Sequence, residues 1–230
     1  MKTIGLIGGM SWESSAEYYR LLNEQVKQHL GGLHSAECLM YSVDFEEIER
    51  FQSQGKWQEA GERLADVARS LEKGGAELIV LCTNTMHKVI SSIEEAVSVP
   101  VLHIADATAK EIQANHLHTI GLLGTKYTME QDFYKERIAE RGIEVLIPEA
   151  TERDMINEII FDELCLGKIN HSSKVKYQQA IQNLIDRGAQ GIILGCTEIG
   201  LLIHDEDAAV PLFDTAKIHV KAAVKEALDN

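Results

Sequence analysis

Residues Thr3–Gly9 read TIGLIGG, and 116 positions later Thr119–Thr125 read TIGLLGT. Each is followed by a polar loop and an aromatic-bearing amphipathic stretch, SAEYYRLL in the first instance and MEQDFYKERI in the second. GAELIVLCTNT at Gly75–Thr85 returns 113 positions on as GAQGIILGCTE at Gly188–Glu198, and VPVL at Val99 returns 111 positions on as VPLF at Val210. Separations that drift so little, over segments recurring in one order, mark an internal duplication. No other feature restricts the fold as strongly, because each copy must be a structural unit of the same kind.

Within each copy, short apolar runs alternate with longer amphipathic ones. TIGLIGG, CLMYSVDF, ELIVLCT and VPVLHI read as strands. SSAEYYRLLNEQVKQHL reads as a helix with Ser14 or Ser15 near its cap, and KWQEAGERLADVARSLEKGGA as one closed by Gly74 and Gly75. HKVISSIEEAV and ADATAKEIQAN complete the helices of the first copy. This β-α-β-α rhythm predicts parallel sheets covered by helices. The expected fold is therefore α/β, with two pseudo-symmetric doubly wound lobes and an active site in the cleft between them. The expected lobes are residues 1–98 plus 212–230, and 99–211. The C-terminal stretch TAKIHVKAAVKEALD is expected to return as a helix onto the first lobe.

Composition removes several function classes. With 22 Lys and Arg against 36 Asp and Glu, the net charge of −14 opposes binding to nucleic acid or to anionic membranes. A small anionic substrate remains compatible, because a local pocket of N–H donors outweighs a distant field. Cys38, Cys82, Cys165 and Cys196 form no CxxC pair, so neither a zinc site nor a disulfide framework is expected. Reduced thiols, no run approaching the ~20 apolar residues of a membrane span, and no cleavable leader predict a cytoplasmic protein. GLIGGMS matches neither the dinucleotide nor the P-loop glycine pattern.

The duplication also singles out residues. With Gly75 set against Gly188, Cys82 matches Gly195 and Thr83 matches Cys196. Successive strand residues face opposite ways, so if Cys196 faces a groove, Thr83 does too and Cys82 turns to its own core. In open α/β sheets ligands gather beyond the carboxyl ends of the strands, where Thr83-Asn84-Thr85 and Cys196-Thr197-Glu198 both sit. Each turn offers N–H groups and a hydroxyl at the start of a following helix, a favourable place for a carboxylate. Reactive groups on either side of one carbon suit proton exchange with inversion, for which a thiol of lowered pKa is well adapted. Other readings stand beside this one: Thr83 as a cap or substrate ligand, Cys82 as the base, His87 as a capping histidine, and Glu198 as a carboxylate stabilising a helix terminus.

GLIGGMSWES, CTNTMH, GCTEIG and FDTAKIH, spread over the whole chain, together resemble the aspartate/glutamate racemase superfamily, whose members work without pyridoxal phosphate. At a finer level the chain is similar to enterobacterial broad-specificity or L-aspartate/glutamate racemases. That resemblance implies a cofactor-independent amino-acid racemase, with no metal, a small amino-acid substrate and a homodimeric assembly. The superfamily's two bases are usually cysteines, and carried over they fall on Cys196 and on Thr83, a departure that predicts unequal handling of the two enantiomers. Implied substrate contacts are Met10, Gln52, Asn84, Thr85, Thr197 and Glu198. Gln52 stands where aspartate-specific relatives tend to carry an arginine, and Cys165 or a neighbour replaces a basic residue. Weak selection for a distal carboxylate follows, so homoserine and other neutral amino acids join aspartate and glutamate as expected substrates. The competing expectations are another isomerase of the superfamily, acting on maleate or hydantoins, and a non-catalytic protein that binds small carboxylates.

Overall fold

The computed structural model describes residues 1–229. The first copy runs β1 (Ile4–Gly8), α1 (Trp12–Leu30), β2 (Cys38–Ser42), α2 (Phe45–Ser53), α3 (Trp57–Lys73), β3 (Leu78–Leu81), α4 (Ile90–Glu94), β4 (Val101–Leu102) and α5 (Ile104–Ala114). The second runs β5 (Thr119–Gly124), α6 (Lys126–Glu130), α7 (Asp132–Ala139), β6 (Glu144–Leu146), α8 (Ala150–Asp162), α9 (His171–Asp186), β7 (Ile192–Gly195), β8 (Leu212–Asp214) and α10 (Thr215–Leu228). Two four-stranded sheets result, ordered β2-β1-β3-β4 and β6-β5-β7-β8, with every neighbouring pair parallel. The central strands β1, β3 and β7 are buried along their whole length, which is why they read as unbroken apolar runs rather than as alternations.

Register repeats along with order. Ile7 faces Leu81 in the first sheet, and their duplicates Leu123 and Leu194 face each other in the second. Ile79 faces Val101, and Ile192 faces Leu212. A slip of one residue in either copy would have turned every side chain to the other face. None has occurred, so Thr83 and Cys196 stand at the same place beyond the ends of β3 and β7. Gly195 replaces Cys82 at the preceding position because a Cβ there would lie 2.8 Å from the Leu123 carbonyl oxygen and 2.8 Å from Leu122 Cδ1.

The chain forms two compact units, Met1–Ile104 together with the stretch from His219 onward, and Ala105–Ile218. The expected boundaries at 98/99 and 211/212 thus move to 104/105 and 218/219. The cause is strand pairing: β4 joins β3 in the first sheet, and β8 joins β7 in the second. VPVLHI contributes only two residues to the sheet, and α2 is a helix that the run after CLMYSVDF did not announce. The cap of α1 is Ser11 rather than Ser14 or Ser15: its Oγ accepts from the Ser14 N–H at 3.3 Å. Ser15 instead braces the loop before the helix, donating to the Ser11 carbonyl at 2.8 Å and accepting from the Gly9 N–H at 2.7 Å. Among the described residues no helix is long and apolar enough to cross a membrane.

The end of α10 is fastened to the first unit by polar contacts inside apolar packing. The Lys2 N–H donates to the Ala227 carbonyl at 2.8 Å, and Lys2 Nζ pairs with Glu226 at 2.9 Å. His219, fully buried, bonds through Nε2 to the Leu102 carbonyl at 3.0 Å, so Nε2 carries the proton and Nδ1 accepts from the Tyr18 hydroxyl at 3.0 Å. Burial lowers the His219 pKa to about 4, while an exposed imidazole in the unfolded chain titrates near 6.5. Between these values the unfolded chain holds the extra proton. The stabilisation is complete above the higher value and is lost as pH falls toward the lower, by about 3 kcal/mol in all. Urea unfolding at pH 7 and at pH 4.5 checks this. His219→Gln is expected to be less stable at pH 7 but to lose about 2–3 kcal/mol less than the parent across that interval; parallel losses would contradict the assignment.

Candidate active site

The first turn begins where β3 runs out of partner. The Cys82 N–H still reaches the Ile7 carbonyl at 2.9 Å, extending the ladder by one residue. The Thr83 N–H then folds back to the Leu81 carbonyl at 2.9 Å, and Thr85–Val89 coil as a 3₁₀ turn before the short α4. The continuous helix expected over HKVISSIEEAV is thus a tight turn followed by barely more than one turn of α-helix. Cys82 is sealed at 0 % exposure with Sγ 3.8 Å from the Val80 carbonyl, and burial holds its thiol far above the ordinary range. Thr83, by contrast, retains 8 % exposure. His87 is buried; its Nδ1 lies 2.7 Å from the Thr83 carbonyl, and its Nε2 accepts the Ile104 N–H at 3.2 Å.

Met10 and Met86 belong to one buried apolar cluster that also contains Val43, Ile48 and Leu81. Gln52, buried on α2, places Nε2 2.9 Å from Met86 Sδ. The fold therefore brings Met10, Gln52 and Thr83-Asn84-Thr85 into one region of the first unit. Met10 enters it as a packing residue, its side chain 4 % exposed.

The second turn follows β7. Its backbone closes through Ile199 N–H to the Cys196 carbonyl at 3.1 Å and Leu201 N–H to the Glu198 carbonyl at 3.0 Å, making a 3₁₀ turn over Ile199–Leu201. The Thr215 hydroxyl braces the strand below by donating to the Leu194 carbonyl at 2.8 Å. Glu198, 2 % exposed, gathers two donors on one oxygen: the Cys196 thiol at 2.9 Å and the Thr197 hydroxyl at 2.8 Å. Burial, followed by the Glu198 carboxylate and the nearby Cys165, pushes the Cys196 thiol well above its ordinary pKa. A thiol of lowered pKa, expected from the sequence, is not what the turn builds. Cys196 is held as a protonated thiol that donates to the Glu198 carboxylate.

Thr197 and Glu198, which the resemblance implies as substrate contacts, bond to each other, and Glu198 is equally the partner of Cys196. No pattern in GCTE alone announces this, because the contact depends on how the 3₁₀ turn folds residue 198 back over residue 196. Among the described residues no group of three or more His, Cys, Asp or Glu is arranged to hold a metal ion, and all four cysteines are free. The thiol–carboxylate pair has a direct test. Glu198→Gln removes the charge that disfavours the thiolate and is expected to speed alkylation of Cys196 by iodoacetamide at pH 7 by roughly tenfold. Mass-spectrometric mapping of the modified cysteine checks it, and an unchanged or slower rate would count against the pairing.

Comparison with known proteins bears on the whole chain. A family model described as Asp/Glu/Hydantoin racemase matches residues 7–223. The broad specificity amino-acid racemase RacX of Bacillus subtilis is 28% identical over 162 residues, 70% of this chain and 69% of that protein. A solved structure of a candidate Asp/Glu racemase from Yersinia pestis is 55% identical over 100% of both chains, with a TM-score of 0.92. That of an aspartate racemase homologue from Pyrococcus horikoshii is 36% identical over 99% of both, with a TM-score of 0.86. Two parallel sheets of one topology, matching turns beyond β3 and β7, and a family match spanning nearly the full length lead to one assignment: the chain belongs to the Asp/Glu/Hydantoin racemase family and is an isomerase of that family.

Proposed function

We propose that the protein is an amino-acid racemase that exchanges the Cα proton by two groups, Cys196 on one face of the substrate and Thr83 on the other. The observation that carries this reading is the repeated sheet register, which gives Thr83 and Cys196 equivalent positions beyond β3 and β7. In one direction the Glu198 carboxylate takes the Cys196 proton, the thiolate removes the α-proton, and the carbanion collects the Thr83 hydroxyl proton on its opposite face, after which solvent reprotonates Thr83 and Glu198 releases its proton. In the other, the Thr83 side removes the α-proton and the resting Cys196 thiol delivers its own. The Cys196 half is equipped with a carboxylate, whereas a threonine hydroxyl is a weak base, so the two directions are proposed to differ in rate-limiting step. Nothing in this sequence of steps calls on a cofactor.

Asn84, Thr85 and Thr197 are proposed to hold the substrate's ammonium and carboxylate through turn N–H groups and side-chain oxygens. Met10 is assigned to the wall of the site and Gln52 to the distal group. A glutamine offers a neutral hydrogen bond where an arginine would give a bidentate ion pair. Aspartate, glutamate and neutral amino acids such as homoserine are all proposed as substrates, in keeping with the broad specificity named for the Bacillus relative. A cytoplasmic homodimer is the accompanying proposal, resting on family resemblance.

Chiral chromatography of L- and D-amino acids incubated with the protein tests the reading. Conversion of aspartate, glutamate or homoserine is expected, with Cys196→Ala and Thr83→Val each slowing it by about 10²-fold or more. Thr83→Cys is expected to retain or raise the rate, and Cys82→Ala to stay within about threefold, since its thiol is held protonated. A severe loss in Cys82→Ala with circular dichroism unchanged would move the base to residue 82. Binding without racemisation, indifferent to Cys196→Ser, would make this a carboxylate-binding protein instead.

A further inference from the structure

Behind the first turn lies a group of buried rings that the reaction as proposed does not use. His87 and His103 pack with centroids 4.6 Å apart, His87 and His219 with centroids 5.9 Å apart, and Tyr18 meets His219 edge-on at 5.9 Å. Buried imidazoles of this kind are costly unless their nitrogens are bonded, and those of His87 are bonded in a way that fixes its protonation. The Ile104 N–H can only donate, so Nε2 of His87 is the unprotonated nitrogen. Nδ1 then carries the hydrogen and donates it to the Thr83 carbonyl at 2.7 Å, a short contact for a neutral donor.

We propose that His87 is the positioning residue for Thr83, holding the 83–85 turn against the start of α5 through this pair of bonds. The proposal rests on the reading that Thr83 acts on the substrate. The mechanical reason is local. The Thr83 carbonyl belongs to a residue that has just left the sheet and whose own N–H turns back to the Leu81 carbonyl. Thr83 precedes the 3₁₀ turn of Thr85–Val89, whose hydrogen-bond geometry is poorer than that of an α-helix. His87 supplies the Thr83 carbonyl with a donor from within that turn. It takes its own bearing from the backbone of Ile104, the first residue of α5 and the last before the chain passes into the second unit. His219 secures the same region from behind by bonding the Leu102 carbonyl, two residues before Ile104. A hydroxyl that is a weak base is sensitive to placement, since small errors in orientation cost large factors in rate.

The two nitrogens of His87 can be separated by substitution. In His87→Asn the side-chain amide nitrogen falls near the position of Nδ1 and keeps the bond to the Thr83 carbonyl while losing Ile104. In His87→Gln the terminal oxygen falls near Nε2 and keeps Ile104 while losing Thr83. Initial rates with L-aspartate, with L-glutamate as second probe, are measured for both, alone and combined with Thr83→Val, alongside thermal unfolding. His87→Gln is expected to lower kcat by about tenfold or more with KM within about twofold, and His87→Asn to remain within about threefold of the parent. In the Thr83→Val background His87→Gln is expected to add no further loss, because its effect runs through the residue already removed. Equal losses for Asn and Gln, or a full multiplicative loss on top of Thr83→Val, would overturn the positioning role and leave His87 a structural residue. A Thr83→Val variant with unchanged kcat would overturn the reading of Thr83 itself, and the inference with it.

Discussion

A parallel ladder supports a strand only as far as its neighbour reaches, and the residues proposed to act on the substrate sit where that support ends. In the first sheet the last rung beyond β3 is the Cys82 N–H on the Ile7 carbonyl. In the second, Gly124 still faces Gly195 and the turn begins at Cys196. The residue after the last rung leaves the sheet and must satisfy its backbone locally, which is what the two 3₁₀ turns do. Because both copies stop at equivalent rungs, Thr83 and Cys196 occupy equivalent positions. A different stopping point in either copy would have put Cys82 or Thr197 there instead.

Equivalent positions carry different equipment. The second turn folds a buried carboxylate back onto its thiol and hydroxyl, so a proton can leave Cys196 without entering solvent. The first instead fixes the backbone of Thr83 with a histidine whose tautomer is dictated by the Ile104 N–H. One turn is arranged around the acidity of its side chain and the other around the placement of its main chain. That asymmetry is a physical consequence of exchanging cysteine for threonine: a thiol can be tuned by its surroundings, while a hydroxyl can only be aimed.

Much of this was legible in the residues. TIGLIGG/TIGLLGT and GAELIVLC/GAQGIILG carried the parallel sheets and the matching of Thr83 with Cys196, because buried parallel strands are read from apolar runs and the duplication supplied an internal alignment. The unit boundaries were not, since VPVL and VPLF lie between helices of both copies and only pairing with β3 and β7 assigns them. The cap at Ser11 was displaced by three serines close together, each a competent cap by type. The raised Cys196 thiol was missed because acidity depends on burial and on Glu198 folding back, neither of which a linear motif states. His87 was visible as a residue one turn past Asn84, but its two bonds depend on the start of α5, seventeen residues away.

The central claim is that two groups on opposite faces of one carbon share the proton exchange, and solvent isotope incorporation tests it most directly. A single enantiomer of aspartate is incubated with the protein in deuterium oxide and sampled early, and deuterium at Cα is read separately in residual substrate and in product by mass spectrometry after chiral separation. Two groups acting from opposite sides predict a product that carries solvent deuterium from the first turnovers, while residual substrate stays largely protiated. A product that retains the substrate's own proton would mean that one group performs both steps, and would contradict the account.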